Sequence, residues 1–159
     1  MHRARIISLA LWISALCWPL SADEPAPPSI STAKLQGFRL PAPDGSVVEL
    51  APESSAKLTV VSFLGTECPL ARLYGPRLED LQQRFGPRGV RFIGINSNVQ
   101  DAPDEVREYV REHRITFPVV KDPGQKVADQ FGAKRTPEVF VVDRALQVVY
   151  RGRVDDQYQ

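Results

Sequence analysis

The sequence predicts an α/β domain: a mixed central sheet with helices on both faces, preceded by an N-terminal β-hairpin. Three observations carry that prediction. Residues 58–64 form an apolar, β-rich run, the pattern of a central strand covered on both sides. Beyond it, strand-like runs alternate with segments of helical period, the order of βαβ units. The last two strand-like runs close around a tight turn at Asp143-Arg144, which adds an antiparallel return.

Each element has a local reason. Residues 37–40 and 47–50 flank Pro41-Ala42-Pro43-Asp44-Gly45, so they read as a hairpin turning at Asp44-Gly45. From 69 to 85, Leu70, Leu73, Leu78, Leu81 and Phe85 follow a helical stripe, which Gly75-Pro76 is expected to interrupt and bend. Residues 90–95 form the next strand. Asp101 then opens a second helix, with Pro103 in its first turn, running to about His113. Residues 117–120 read as a short strand, 124–131 as a brief helix, and 138–142 and 147–151 as the closing strands.

The 159 residues divide into a leader, a linker and one domain. Residues 1–22 place Arg3 and Arg5 before an apolar run and end on Ser21-Ala22, the order of a secretory signal peptide. That run, about 15 residues broken by Pro19, is too short for a comfortable membrane span, so an uncleaved anchor is the weaker reading. Cys17 follows the bulky Leu16, which argues against a lipoprotein site there. Residues 23–32, with Pro25, Pro27 and Pro28, read as an extended linker. Residues 33–159 have the length of one domain. The sequence stops soon after its last strand and reads as the front of a longer protein or as a fragment. Export would place the domain in a periplasmic or extracellular, oxidising compartment, with no stable span in the mature form. Without Arg3 and Arg5, 18 basic residues face 19 acidic ones, a net charge of −1. With no basic run, nothing points to a nucleic-acid partner.

Once the leader is gone, Cys68 is the sole cysteine. It lies in Gly65-Thr66-Glu67-Cys68-Pro69, where a strand turns into a helix. Unpaired N–H groups and the positive end of the helix dipole favour a thiolate at such a position. Pro69 suits the first helical residue. The alternative is a buried structural thiol. His113, the one remaining histidine, reads as solvated at a helix C-terminus, so no zinc set exists. Nor is there a Cys-x-x-Cys-His haem attachment, and Asp122, Asp155 and Asp156 match no calcium loop. No metal or cofactor is expected.

Cys68-Pro69 at the first strand-to-helix junction, and Thr136-Pro137 before the strand Val139-Phe140-Val141-Val142, resemble a thioredoxin fold. More narrowly, residues 33–153 resemble redoxins of the AhpC/TSA, peroxiredoxin-like group. The segments at Phe92-Ile93-Gly94-Ile95-Asn96-Ser97-Asn98 and Phe117-Pro118-Val119-Val120-Lys121-Asp122 add to the likeness. The resemblance implies a thioredoxin-like three-layer sandwich. It also implies a cis Pro137 beside the Cys68 sulfur, with Thr136 backbone groups open to an extended thiol substrate.

The departures from that pattern narrow the chemistry. Ala71 stands where a disulfide reductase of this fold carries its second cysteine, so no internal Cys-x-x-Cys disulfide can form. Peroxiredoxins usually carry proline seven, and threonine three, residues before the reactive cysteine. Here those positions are Val61 and Gly65, and Thr66 would need a loop shift to reach a peroxide. Arg72, one turn beyond Cys68, and Arg135, before the Thr-Pro turn, are candidates to balance a thiolate; solvated surface roles stay open for both. Glu67 acts against the thiolate. Two function classes follow. The first is an exported oxidoreductase using Cys68 on a peroxide or disulfide, with an external thiol or redox partner protein for resolution. The second is a non-catalytic module that binds a partner in the groove beside Pro137.

Overall fold

The computed structural model describes residues 34–155. The expected leader, the linker to residue 32 and the segment Asp156-Gln157-Tyr158 lie outside the described residues. Strands β1 (Phe38–Pro41) and β2 (Val47–Leu50) pair antiparallel, Phe38 opposite Leu50. Their turn falls where Asp44-Gly45 predicts it. Gly45 adopts φ 87°, and the Asp44 carboxylate accepts the N–H and hydroxyl of Ser46 at 2.9 and 2.7 Å.

Five strands form the main sheet: β3 (Leu58–Phe63), β4 (Val90–Asn96), β5 (Val119–Lys121), β6 (Glu138–Asp143) and β7 (Val148–Gly152). Their order is β5-β4-β3-β6-β7; β3, β4 and β5 run parallel, while β6 and β7 add antiparallel. Three α-helices, α1 (Pro69–Phe85), α2 (Pro103–Glu112) and α3 (Lys126–Phe131), complete the described residues.

Strand alternation builds two cores, one on each face of the sheet. Val61, Phe63, Ile93, Ile95, Phe140 and Val142 join the hairpin residues Phe38 and Leu50 and α3 residue Phe131. Phe63, Phe131 and Phe140 meet edge to face there, with centroids 5.2–5.6 Å apart. Phe92 and Val139 point the other way and join Ala71 and Leu78 of α1 and Val106 and Tyr109 of α2. The result is three layers: hairpin plus α3, sheet, and α1 plus α2. The predicted α/β, thioredoxin-like sandwich with its leading hairpin is therefore present.

Local corrections concern how elements begin and end. Helix α1 runs unbroken through Pro76, contrary to the expected interruption. Pro76 forfeits one helical hydrogen bond, to the Arg72 carbonyl on the exposed face, where water can replace it. Gly75 has a packing role: a Cβ there would lie 2.8 Å from the Tyr109 hydroxyl, which donates to the Ala71 carbonyl at 2.7 Å. Asp101 does not open α2. Ala102 is the cap residue, and Glu105 accepts its N–H at 2.7 Å, half of a capping box. His113 is half-buried rather than simply solvated, with its ring stacked on Tyr109 at 4.5 Å and Nδ1 2.9 Å from the Tyr109 carbonyl oxygen. The short strand begins at Val119, since Phe117 is spent in the core. The brief helix splits into a 3-10 turn, Pro123–Gln125, and α3. Asp122 holds the start of α3 by accepting the N–H groups of Val127 and Ala128.

Candidate functional site

The sheet register assembles the site. Phe63, the last residue of β3, pairs with Glu138, the first residue of antiparallel β6. The chain leaving β3 and the chain entering β6 therefore meet at the same sheet edge. One carries Cys68 and the other Thr136-Pro137, whose peptide bond is cis. Cys68 is the cap residue of α1, and its carbonyl accepts the first helical hydrogen bond from Arg72 at 3.1 Å. Its side chain makes no capping bond to the helix. The thiol instead donates to the Thr136 carbonyl at 3.1 Å, and the sulfur is half-buried and free. Pro69, Leu70 and Leu73, in the first turns of α1, are exposed, and Cys68 itself packs against the core cluster of α1 and α2.

The supporting residues divide. Pro69 is the first residue of α1, as expected. Thr66 is buried, and its N–H donates to Asp101 Oδ2 at 2.9 Å. The Arg72 guanidinium extends to Glu112 on α2 at 3.9 Å, in an exposed pair. Arg135 is exposed and lines a cavity of about 220 Å³ with Thr136, Asn98, Ser97 and Lys134. The structure thus brings Cys68, Thr136 and Pro137 together, seats the Thr66 N–H on Asp101 and sets the Arg72 guanidinium 3.9 Å from Glu112 in an exposed pair.

Sequence reasoning missed the polar frame behind the turn. Asp101 Oδ2 accepts the Thr66 N–H at 2.9 Å and the side-chain amides of Asn96 and Asn98 at 2.6 and 3.2 Å. Lys121 donates to Asn96 Oδ1 at 2.5 Å and to the carbonyls of Asn98 and Asp101 at 2.8 and 2.7 Å. Burial works to raise the Asp101 carboxyl, but these hydrogen bonds outweigh it and hold the group below the usual aspartate range. Burial pushes the Lys121 ammonium down, opposed by the Asp101 charge. Tyr109 is raised by burial first and by its nearness to Cys68 second. The available signal was Asn96-Ser97-Asn98 followed by Asp101: polar residues leaving a strand at the end that carries the cysteine.

Comparison with known proteins agrees with the fold. The chain is 28% identical over 106 residues to the thiol-disulfide oxidoreductase ResA of Halalkalibacterium halodurans, covering 67% of this chain and 58% of that protein. It spans about three fifths of the length of such relatives. A crystal structure of an uncharacterized conserved protein from Geobacillus kaustophilus is 34% identical, with a TM-score of 0.72 over 79% of this chain and 70% of that one. A hypothetical protein from Sinorhizobium meliloti 1021 is 29% identical, with a TM-score of 0.74 over 80% and 72%. The model of the AhpC/TSA family matches residues 32–151, most of the chain and every described strand but the end of β7, and on that match the protein belongs to the AhpC/TSA family.

Proposed function

We propose that the domain is an exported single-thiol oxidoreductase that exchanges disulfides at Cys68. The supporting observation is the half-buried Cys68 sulfur resting on the Thr136 carbonyl beside the cis Pro137. Disulfide exchange fits this chain better than peroxide reduction, because Val61 and Gly65 stand where peroxiredoxins usually carry proline and threonine. Relatives named thiol-disulfide oxidoreductase support the same choice. In the first step the Cys68 thiolate attacks one substrate sulfur. The substrate S–S bond breaks, a mixed disulfide forms, and the other sulfur leaves as a thiolate that takes a proton from water. With Ala71 at the third position beyond Cys68, an external thiol must attack the mixed disulfide and release Cys68. That thiol, free or on a partner protein, leaves the cycle joined to the substrate sulfur.

Incubating the reduced domain with a disulfide-bonded peptide, followed by intact-mass analysis, tests the reading. The expected product carries one peptide on Cys68, is released by added thiol, and is absent in Cys68→Ser. A wild-type domain that stays unmodified while the peptide is consumed by small thiols would rule out exchange and leave the Pro137 groove as a binding surface.

A further inference from the structure

We propose that Asp101 is a positioning residue for Cys68, pinning the turn at residues 65–68 from behind through the Thr66 N–H. The proposal rests on the disulfide-exchange reading above and assigns that site its supporting carboxylate.

Asp101 is 2% exposed, and three N–H donors converge on its Oδ2. Its other oxygen is buried without a hydrogen-bond partner. On the far side of Asn96, Lys121 fixes the carbonyls of Asn98 and Asp101, so Asn96 bridges the carboxylate and the ammonium. Charges in such a place are costly, and apolar packing would fill the same space more cheaply. What this frame secures is the location of one backbone group, the Thr66 N–H, two residues before the sulfur. The Cys68 N–H turns back to the Gly65 carbonyl at 3.4 Å, so the pinned residue sits inside the turn that sets the cysteine.

Gly65 shows how closely the parts meet. A Cβ there would lie 2.6 Å from Asn98 Nδ2 and 3.2 Å from Thr136 Oγ1. The β4–α2 loop and the Pro137 turn thus close on the cysteine turn from two sides. Asp101 touches neither sulfur nor groove. Its effect passes through Thr66, and displacing a reacting atom by about 1 Å can cost a hundredfold in rate.

The test follows mixed-disulfide formation at Cys68 in single turnover against peptide-disulfide concentration, for wild type, Asp101→Ala and Asp101→Asn. Each protein is held at a temperature where circular dichroism shows it fully folded. Alanine removes the acceptor that Thr66 needs, whereas asparagine keeps an oxygen in its place. The expected result is a maximal rate lowered about tenfold or more in Asp101→Ala, with half-saturation and the Asp101→Asn rate each within about threefold of wild type. The Thr66 amide proton should move upfield in Asp101→Ala and stay near its place in Asp101→Asn. Equal maximal rates in all three proteins would overturn the proposal, as would asparagine failing to rescue. If Asp101→Ala does not fold, Asp101→Ser, one atom too short to reach Thr66, takes its place under the same criteria. If wild type exchanges with no peptide disulfide, the reaction reading fails. Positioning is then decided by iodoacetamide: a threefold or greater loss of Cys68 alkylation in Asp101→Ala, restored in Asp101→Asn, supports it, and equal rates overturn it (about threefold being roughly 0.7 kcal/mol).

Discussion

Glu138 and Arg151 form an ion pair at 2.9 Å across adjacent strands, one residue beyond Pro137. The Glu138 side chain is 3% exposed, and its second oxygen accepts the Lys134 N–H at 2.8 Å. Arg151 donates to the Gly132 carbonyl at 2.6 Å and lies 5.2 Å above the Phe140 ring. The pair braces both ends of the segment that delivers Thr136 to the sulfur.

Breaking that pair from one side leaves a buried carboxylate without its cation. Arg151→Met should therefore destabilise the domain by about 3 kcal/mol, whereas Glu138→Gln combined with Arg151→Met should cost clearly less. Urea unfolding of the two single variants and the double variant checks the coupling. A double variant as unstable as the sum of its parts would refute it.

Gly75→Ala replaces a glycine inside a helix with the best helix former, a change worth about 1 kcal/mol in favour of folding where space allows. Here the Tyr109 hydroxyl occupies that space, so the substitution should be destabilising. Tyr109→Phe alone should cost about 1 kcal/mol through its lost hydrogen bond to Ala71. Placed in that background, Gly75→Ala should turn neutral or stabilising. Thermal melts of the four proteins reveal the change of sign.

Acid should weaken the fold through Glu79 and Asp101. Burial raises both carboxyls, but hydrogen bonds outweigh it: from Thr116 and Gln83 to Glu79, and from Thr66, Asn96 and Asn98 to Asp101. Both are thus held below their ordinary values of 4.5 and 3.8. A carboxyl lowered on folding adds stability that is complete above its unfolded value and lost as pH falls through its folded value. Stability should hold near neutrality and begin to fall below about pH 5. Glu79→Gln should flatten that decline, and urea midpoints measured from pH 7 to pH 3 would show it.

Arg72→Ala should leave the rate of disulfide exchange within about threefold of wild type and stability within about 1 kcal/mol, because its exposed partner is Glu112. Thr66→Val keeps the N–H that Asp101 holds and should also keep exchange within about tenfold, well short of the loss in Cys68→Ser. A collapse of exchange in either variant would return those side chains to the reaction itself.

Much of this layout was legible in the sequence, because period and turn chemistry agree with the final packing. The apolar run of β3, the stripe of α1 and Asp44-Gly45 each had one consistent reading. The errors came where a distant partner outbid a local preference. Asp101 has the composition of a helix opener, yet its carboxylate goes to Thr66, 35 positions away. Arg72 sits one turn past Cys68 and is exposed, 3.9 Å from Glu112 on the neighbouring helix, in keeping with the solvated surface role that the sequence also offered. The Thr136–Cys68 contact spans 68 positions and was legible only through resemblance to redoxins, since no local rule pairs those residues.

Ala71 has no exposed surface, and its carbonyl is taken by Tyr109. A sulfur grafted onto that position would be walled in by neighbouring side chains, out of reach of any visitor. Reach from outside is not what a resolving sulfur needs, because position 71 shares with Cys68 the first turn of α1 and one packed cluster, so Ala71→Cys is the change that asks whether this frame can close a disulfide of its own. Under the proposed exchange reaction, with alanine at position 71, each turnover would end as a covalent adduct awaiting rescue, and the supply of outside reductant would set how long the domain stays occupied.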